Sequence, residues 1–131
     1  MNIKVTFEGN KKINANVNGH VIKTDQPIHS GGENTAPSPY ELFLASLGTC
    51  AGIYVKSFCD QRGISSEGIS LDQTMEWDAE AKKMGKITIT IQLPASFPDK
   101  YTESLIKVAE LCAVKKTIQD PPIMIVNTST K

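Results

Sequence analysis

The fold is decided by one stretch, residues 37–63, which reads PSPYELFLASLGTCAGIYVKSFCDQRG. Ser38 is placed to cap a helix that begins at Pro39, because a proline at the first helical position loses no hydrogen bond. The helical pattern continues to Arg62, about 23 residues or roughly 35 Å. Its first two-thirds is apolar on nearly all sides. We therefore expect a central helix covered by a sheet, by other helices or by a partner chain.

Composition is typical of a single soluble domain. The 131 residues, 40% hydrophobic and 21% charged, predict one domain over residues 1–131. Fourteen basic side chains balance fourteen acidic ones, and no basic block appears, which argues against nucleic-acid and membrane partners. No apolar stretch reaches the roughly 20 residues that span a bilayer. The expected partner is a small molecule or a protein.

Alternating apolar and polar residues predict three strands before the helix. The first two cover residues 3–7 and 13–17, and the third follows Asn18-Gly19, the dipeptide that favours a type I′ hairpin turn. Residues 26–38, rich in Pro, Gly, Ser and Asn, form the longest predicted loop.

After the helix, the pattern predicts an antiparallel pair of strands with Trp77 on the inward face. Asp99 is placed to cap a second helix whose apolar stripe ends at Cys112. A helical turn at residues 115–118 and a last strand at residues 123–126 follow. The predicted class is α+β, with the element order βββ-α-ββ-αα-β.

Motifs for several common chemistries are missing from the sequence, including a P-loop, a dinucleotide-binding glycine motif, a CxxC pair and HExxH. The two histidines have no carboxylate or cysteine at ligand spacing, so neither a metal nor a cofactor is predicted. Three cysteines are too few and of the wrong parity for a secreted disulfide framework. We therefore expect a cytoplasmic protein, and the cysteines are the remaining candidates for chemistry.

The cysteines occupy apolar helical positions. Cys50 lies among small residues in the segment GTCAG, and Cys112 closes the predicted stripe of the second helix. Two interpretations of these residues stay open: buried thiols that pack as small hydrophobic groups, or a reactive pair. Cys59 lies on roughly the opposite side of the long helix from Cys50 and is interpreted as a packing residue.

Two segments resemble the OsmC/Ohr family of osmotically inducible and organic hydroperoxide resistance proteins. Residues 36–50, APSPYELFLASLGTC, look like the family signature, and residues 109–114, AELCAV, resemble its second cysteine motif. The resemblance implies an OsmC-like fold, in which antiparallel sheets wrap around a long central helix. It also implies an intertwined homodimer whose active sites form at the subunit interface.

A chemistry is implied by the same resemblance. Cys50 is then the peroxidatic cysteine, which an organic hydroperoxide oxidises to a sulfenic acid, and Cys112 resolves it as an intramolecular disulfide. A dithiol or a lipoylated protein regenerates the thiols. An apolar pocket favours hydrophobic hydroperoxides over hydrogen peroxide.

The chain departs from the family pattern near the first cysteine. Family peroxidases hold the thiolate with an arginine from the N-terminal strand region and a glutamate directly after the proline of the motif. This chain has Tyr40 at that position, Glu41 one step later, and its only arginine, Arg62, at the far end of the helix. Lys11 and Lys12 are the candidates for the missing charge, although an ammonium does not reproduce the planar fork of a guanidinium.

Two of these residues also have a simpler interpretation. Glu41 is stabilised by the dipole at the N-terminus of the helix, and the alternative is a carboxylate that reaches Lys11, Lys12 or the loop near His29. Tyr40 either donates its hydroxyl to a ligand or packs.

Without a nearby cation, Cys50 is expected to remain mostly thiol at neutral pH. Apolar surroundings disfavour the thiolate, and the dipole of its own helix fades within the first turn. The leading prediction is a divergent, homodimeric OsmC-like thiol redox protein that reduces organic hydroperoxides through Cys50 and Cys112, with weak or absent peroxidase activity as the alternative that the missing arginine and glutamate favour. The rivals are a non-catalytic OsmC-like dimer that binds a small molecule, and a structural dimer module.

Overall fold

The structure is a computed structural model of the chain, and it describes residues 1–130. They form two compact units, the first from Met1 to Ala45 and the second beginning at Ser46. The boundary falls inside one continuous helix, α1, which spans Pro39–Gln61 as predicted. One domain over residues 1–131 stays a prediction.

A three-stranded antiparallel sheet forms the first unit, in the order β1-β2-β3. The strands span Lys4–Gly9, Lys12–Val17 and His20–Thr24. The predicted hairpin turn is confirmed, because Asn18 and Gly19 both have positive φ, 50° and 82°, as a type I′ turn requires.

A buried carboxylate organises the loop after β3. Asp25 is fully buried, and its oxygens accept from the N–H groups of Gln26 and Thr35 at 2.7 and 3.0 Å and from the Thr35 hydroxyl at 2.7 Å. Because these donors favour the ionised form, the Thr35 hydroxyl above all, the pKa of Asp25 is lowered to about 2. Gly32 is required in this loop, since a Cβ at that position would collide with the carbonyl of Gln26.

A capping box begins α1. The Ser38 hydroxyl accepts from the N–H of Glu41 at 3.3 Å, and the Glu41 carboxylate accepts from the N–H of Ser38 at 3.2 Å. The helix ends before a left-handed Gly63, where the N–H of Ile64 donates to the carbonyl of Cys59 at 2.9 Å. The predicted cap at Ser38 is confirmed.

Only one side of α1 is buried within the chain, although the sequence predicted cover on most sides. The buried residues follow the spacing of a single helical face, and they are Leu47, Ala51, Val55, Phe58 and Cys59. Elsewhere the helix exposes Tyr40, Phe43 and Ile53. By length and composition alone α1 also meets the criterion for a membrane span, a criterion that central helices of globular domains share.

The second unit adds two strands and two short helices to α1. Strands β4 (Ser70–Asp78) and β5 (Lys83–Gln92) pair antiparallel, and helices α2 (Thr102–Ala109) and α3 (Ala113–Gln119) follow. The core of this unit consists of Val55, Phe58, Cys59, Phe97 and Leu105. The α+β class and the order βββ-α-ββ-αα are confirmed.

The prediction that Trp77 lies in the core is wrong, because its side chain is 64% exposed. β4 and β5 pair regularly from Ser70 to Glu76, and the register then shifts so that Trp77 faces Met84 and Gly85 is left over. Such a bulge bends and twists a strand pair. Met75, on the same face and two residues before Trp77, is already 43% exposed, so this end of the hairpin extends past the core before the bulge is reached.

The second helix is shorter than predicted. Asp99 begins a 3₁₀ turn, Asp99–Tyr101, and does not cap α2. The prediction that Cys112 closes the stripe of α2 is also wrong, since α2 ends at Ala109 and Cys112 is the N-cap residue of α3. The chain breaks here because the sulfur of Cys112 is itself the cap of the next helix.

The predicted last strand is not formed. Residues 121–130 have no regular secondary structure, and the four apolar side chains from Ile123 to Val126 are 79–97% exposed. No strand among residues 1–130 pairs with this segment, so its backbone makes none of the inter-strand hydrogen bonds that define a strand.

Replacing Asp25 with Asn should loosen the loop of residues 26–38, because a neutral amide accepts its donors less strongly. The pKa of Asp25 in the folded protein, about 2, lies below the ordinary 3.8. Its contribution to stability is therefore present above about pH 4 and is lost as the pH falls toward about 2. Thermal unfolding of both proteins from neutral to acidic pH should show the wild type losing its advantage in that interval. An advantage that does not change with pH would contradict this role.

Candidate functional site

The structure brings Cys50 and Cys112 together. Cys50 is half-buried on α1, and Cys112 is 2% exposed at the start of α3. Their sulfur atoms are hydrogen-bonded to each other. Both cysteines belong to the second unit, so the contact lies within a single compact part of the chain.

Cys112 caps α3 with its side chain. Its sulfur accepts from the N–H of Lys115 at 3.4 Å, and its carbonyl accepts from the N–H of Lys116 at 3.0 Å. A helix leaves its first N–H groups without partners inside the helix. The thiol of Cys112 therefore has a structural role in addition to any chemical one.

The sulfur of Cys50 faces the same first turn. The N–H groups of Val114 and Ala113 donate to it, and so does the thiol of Cys112. These donors lower the pKa of Cys50 from its ordinary value, the Val114 N–H being the largest cause, while partial desolvation opposes them. Uncharged N–H groups thus favour the thiolate of Cys50 in the absence of a cation, which the sequence analysis did not anticipate, and whether Cys50 is mostly thiol at neutral pH stays a prediction.

The pKa of Cys112 is shifted upward, opposite to that of Cys50. Burial raises the pKa of its thiol most, and the hydrogen bond to Cys50 raises it further. One sulfur of the pair is therefore disposed to ionise, and the other is disposed to keep its proton and donate it.

Cys59 takes no part in this pair. It is fully buried among Val55, Phe58 and Leu105. Burial raises the pKa of its thiol, and the charge of Asp60 adds to the effect. The interpretation of Cys59 as a packing residue is confirmed.

The small residues around Cys50 allow another element to approach α1 closely. A Cβ at Gly48 would lie 2.7 Å from Oε1 of Gln73 on β4, so a larger residue would displace that amide. Gly48, two residues before Cys50, therefore leaves room for the Gln73 side chain against α1.

An apolar cavity of about 550 Å³ borders Cys112, while Cys50 is not part of its wall. Cys112 lines it, and Glu110 and Lys115 provide the charged groups of the wall. A cavity of this volume is in the usual range for small-molecule sites. Its apolar walls come from α1, β5 and α2, and they include Leu47, Ala51, Ile89, Ile91, Leu105 and Ile106.

The other candidate residues lie in the first unit, each with neighbours there. The Glu41 carboxylate closes the capping box of α1, which is the structural interpretation of this residue. Lys12 pairs with Glu33 at 3.4 Å, and Lys11 is exposed. The Tyr40 ring lies 5.9 Å from that of Phe43, centroid to centroid. A role of these residues toward Cys50 stays a prediction.

Arg62 has a structural role at the end of α1. Its guanidinium lies 3.6 Å from the centroid of the Phe58 ring, and Nη1 donates to the Phe58 carbonyl at 3.3 Å. It belongs to the core side of the helix and is engaged in packing.

The N–H groups of Ala113 and Val114 are the functional groups that sequence reasoning missed. A backbone donor leaves no mark in residue types, and cysteine is not among the usual capping residues.

No group of three or more His, Cys, Asp or Glu side chains that could hold a metal ion occurs within residues 1–130.

The family model described as OsmC-like protein matches residues 31–127, which is most of the chain and includes both cysteines. The chain belongs to the OsmC-like family. No curated protein matches the sequence significantly.

Solved structures share the fold of this OsmC-like protein. One, described as an osmotic stress induced and detoxification response protein from Psychrobacter arcticus, is 25% identical with a TM-score of 0.74, over 88% of this chain and 85% of the other. The organic hydroperoxide resistance protein OsmC from Legionella pneumophila is 20% identical with a TM-score of 0.59, over 91% and 90%. OhrB of Bacillus subtilis is 19% identical with a TM-score of 0.55, over 92% and 93%.

We expect Cys50 to be the first thiol that iodoacetamide modifies at neutral pH, since its pKa is lowered while those of Cys112 and Cys59 are raised. Replacing Cys112 with Ala removes one donor and should move the alkylation midpoint of Cys50 to higher pH. Cys112→Ser keeps a donor and should move it less. Mass spectrometry of each cysteine peptide over a pH series measures this. Equal rates at the three cysteines would contradict the assignment, and Cys59→Ser serves as the control variant.

Proposed function

We propose that this OsmC-like protein is a thiol-dependent redox protein that reduces organic hydroperoxides through Cys50 and Cys112. The observation that carries the proposal is the hydrogen-bonded pair of sulfurs with pKa values shifted in opposite directions. Two of the structural relatives are named organic hydroperoxide resistance proteins, which supports a redox or peroxide-resistance role.

In the first step, the thiolate of Cys50 attacks the distal oxygen of the hydroperoxide. The O–O bond breaks, Cys50 becomes a sulfenic acid, and the organic fragment leaves as an alkoxide that takes a proton to become the alcohol. The thiol of Cys112, which donates to Cys50, is placed to supply that proton. Its loss leaves Cys112 as a thiolate.

In the second step, the thiolate of Cys112 attacks the sulfur of the Cys50 sulfenic acid. An S–S bond forms and hydroxide leaves, which takes up a proton to give water. A small dithiol or a lipoylated protein then reduces the disulfide by thiol–disulfide exchange and is itself oxidised to a cyclic disulfide. The apolar cavity beside Cys112 favours hydroperoxides with a hydrophobic body over hydrogen peroxide.

We also propose that the protein forms an intertwined homodimer and that it works in a reducing compartment such as the cytoplasm. Support for a second copy comes from the uncovered apolar side chains on α1 and from the exposed segment Ile123–Val126, which lacks a strand partner within residues 1–130. Free cysteines throughout the chain suit a reducing compartment. Light scattering should give the mass of two chains in dilute solution, and the mass of one chain would contradict the dimer.

Peroxidase turnover tests the proposed activity. With cumene hydroperoxide and dihydrolipoamide, the wild type should consume peroxide, and Cys50→Ser should reduce the rate to the uncatalysed background because the nucleophile is gone. Cys112→Ser should give one turnover and then stop, since no disulfide can form within the chain.

Cys59→Ser is the matched control, because it changes a thiol of the same helix that lies outside the pair, and its rate should equal that of the wild type. If the wild type consumes no peroxide while it still binds an apolar dye in the cavity, the rival interpretation as a non-catalytic binding protein replaces the proposal.

A further inference from the structure

Helix α3 is short and lacks the buried side chains that normally stabilise a helix. It is seven residues long, and none of its side chains is buried. Isolated helices of this length are not stable in water, and a buried apolar face is what normally stabilises a short helix in a protein. The contacts at its first turn therefore decide whether α3 is formed.

Two sulfur atoms provide most of those contacts. The N–H of Lys115 donates to the sulfur of Cys112 at 3.4 Å, and the N–H groups of Ala113 and Val114 donate to the sulfur of Cys50. The N–H of Lys116 makes the first hydrogen bond within the helix, to the carbonyl of Cys112 at 3.0 Å, so the N–H groups of Ala113, Val114 and Lys115 are ones that the helix itself leaves without partners.

The far side of α3 faces the apolar cavity. Lys115, Ile118 and Gln119 form its contribution to the cavity wall, beside Cys112. The same helix thus contacts the cysteine pair at its first turn and encloses the cavity along its length. Anything that releases the first turn also removes part of the wall.

We propose that the redox state of the Cys50–Cys112 pair controls whether α3 is ordered, and through α3 controls how far the apolar cavity is open. The inference rests on the proposed function only in assuming that these two thiols form a disulfide.

Disulfide formation removes the acceptors on which α3 depends. The S–H bond of Cys112 breaks, one S–S bond forms with the Cys50 thiolate, and two electrons and the proton of Cys112 pass to the oxidant, which takes its second proton from water. The sulfur of Cys112 must turn to within about 2.05 Å of that of Cys50, away from the N–H of Lys115. The negative charge on Cys50 that favoured the N–H groups of Ala113 and Val114 is also lost.

Opening of α3 would give a reductant access to the oxidised cysteine pair. Cys112 is only 2% exposed and Cys50 is half-buried in the reduced protein, so the closed wall restricts a bulky dithiol to the sulfur of Cys50. If oxidation releases α3, the oxidised protein discharges the alcohol from the cavity and admits the reductant. The reduced protein closes again around the next apolar molecule.

Hydrogen–deuterium exchange with mass spectrometry tests this device on the full chain. The reduced protein is compared with protein oxidised by diamide, whose N=N bond takes up the two electrons, the proton of Cys112 and a proton from water. We expect amides of residues 113–119 to exchange about ten-fold faster after oxidation, the scale of losing helix caps, while amides of β4 and β5 keep their rates.

Variants at Cys112 distinguish the effect of losing the helix cap from the effect of forming the disulfide. Cys112→Ala lacks the cap and cannot form the bond, so residues 113–119 should exchange fast with or without diamide. Cys112→Ser keeps an oxygen cap, because serine is a good N-cap residue, and should exchange slowly under both conditions. Cys59→Ser, outside the pair, should respond to diamide as the wild type does.

The outcomes also distinguish the two proposals. If diamide produces no disulfide between Cys50 and Cys112, both this inference and the proposed function fail. If the disulfide forms and residues 113–119 exchange at the rate of the reduced protein, the control of α3 is overturned and the proposed function stands.

Discussion

The contact between two sulfur atoms and the first turn of α3 is the interaction on which the candidate site depends. It brings Cys50 to Cys112, it supplies the N–H donors that favour the Cys50 thiolate, and it fixes the short helix that lines one wall of the cavity. The break between α2 and α3 at Cys112 is what makes the arrangement possible. A continuous helix through Cys112 would engage the N–H groups of Ala113 and Val114 within itself.

Backbone donors differ from an arginine in their physical consequences. A guanidinium carries a charge that must be desolvated when it is buried, and a single substitution of the arginine removes that charge. Peptide N–H groups are uncharged, do not titrate and are present in every residue except proline. A chain with a single arginine, engaged on Phe58, can in this way lower the pKa of a cysteine without a positive charge beside it. The resemblance to the family therefore extends to the cysteines more securely than to the groups around them.

Sequence patterns predicted the elements whose signals are local. The Ser38-Pro39 start of α1, its end near Gly63 and the turn at Asn18-Gly19 were all readable, because capping and turn chemistry involve only neighbouring residues. The pairing of Cys50 with Cys112 was implied by the resemblance to the family, since the spacing of apolar residues left it open.

Other features depend on partners that the sequence does not show. Trp77 keeps the alternation of a buried strand, but it lies at an end of the hairpin where Met75, on the same face, is exposed as well. Cys112 keeps the helical spacing of Leu105 and Ala109, yet it starts a new helix. The apolar residues 123–126 have strand character without a strand to pair with among residues 1–130.

The central claim is that the N–H groups of Ala113 and Val114 are bonded to the sulfur of Cys50, and NMR tests it most directly. In the reduced protein, the amide proton resonances of these two residues should titrate together with Cys50, at a midpoint below the roughly 8.5 of a free thiol. The titration should vanish in Cys50→Ser. Amide resonances of Ala113 and Val114 that do not respond to the ionisation of Cys50 would contradict the account.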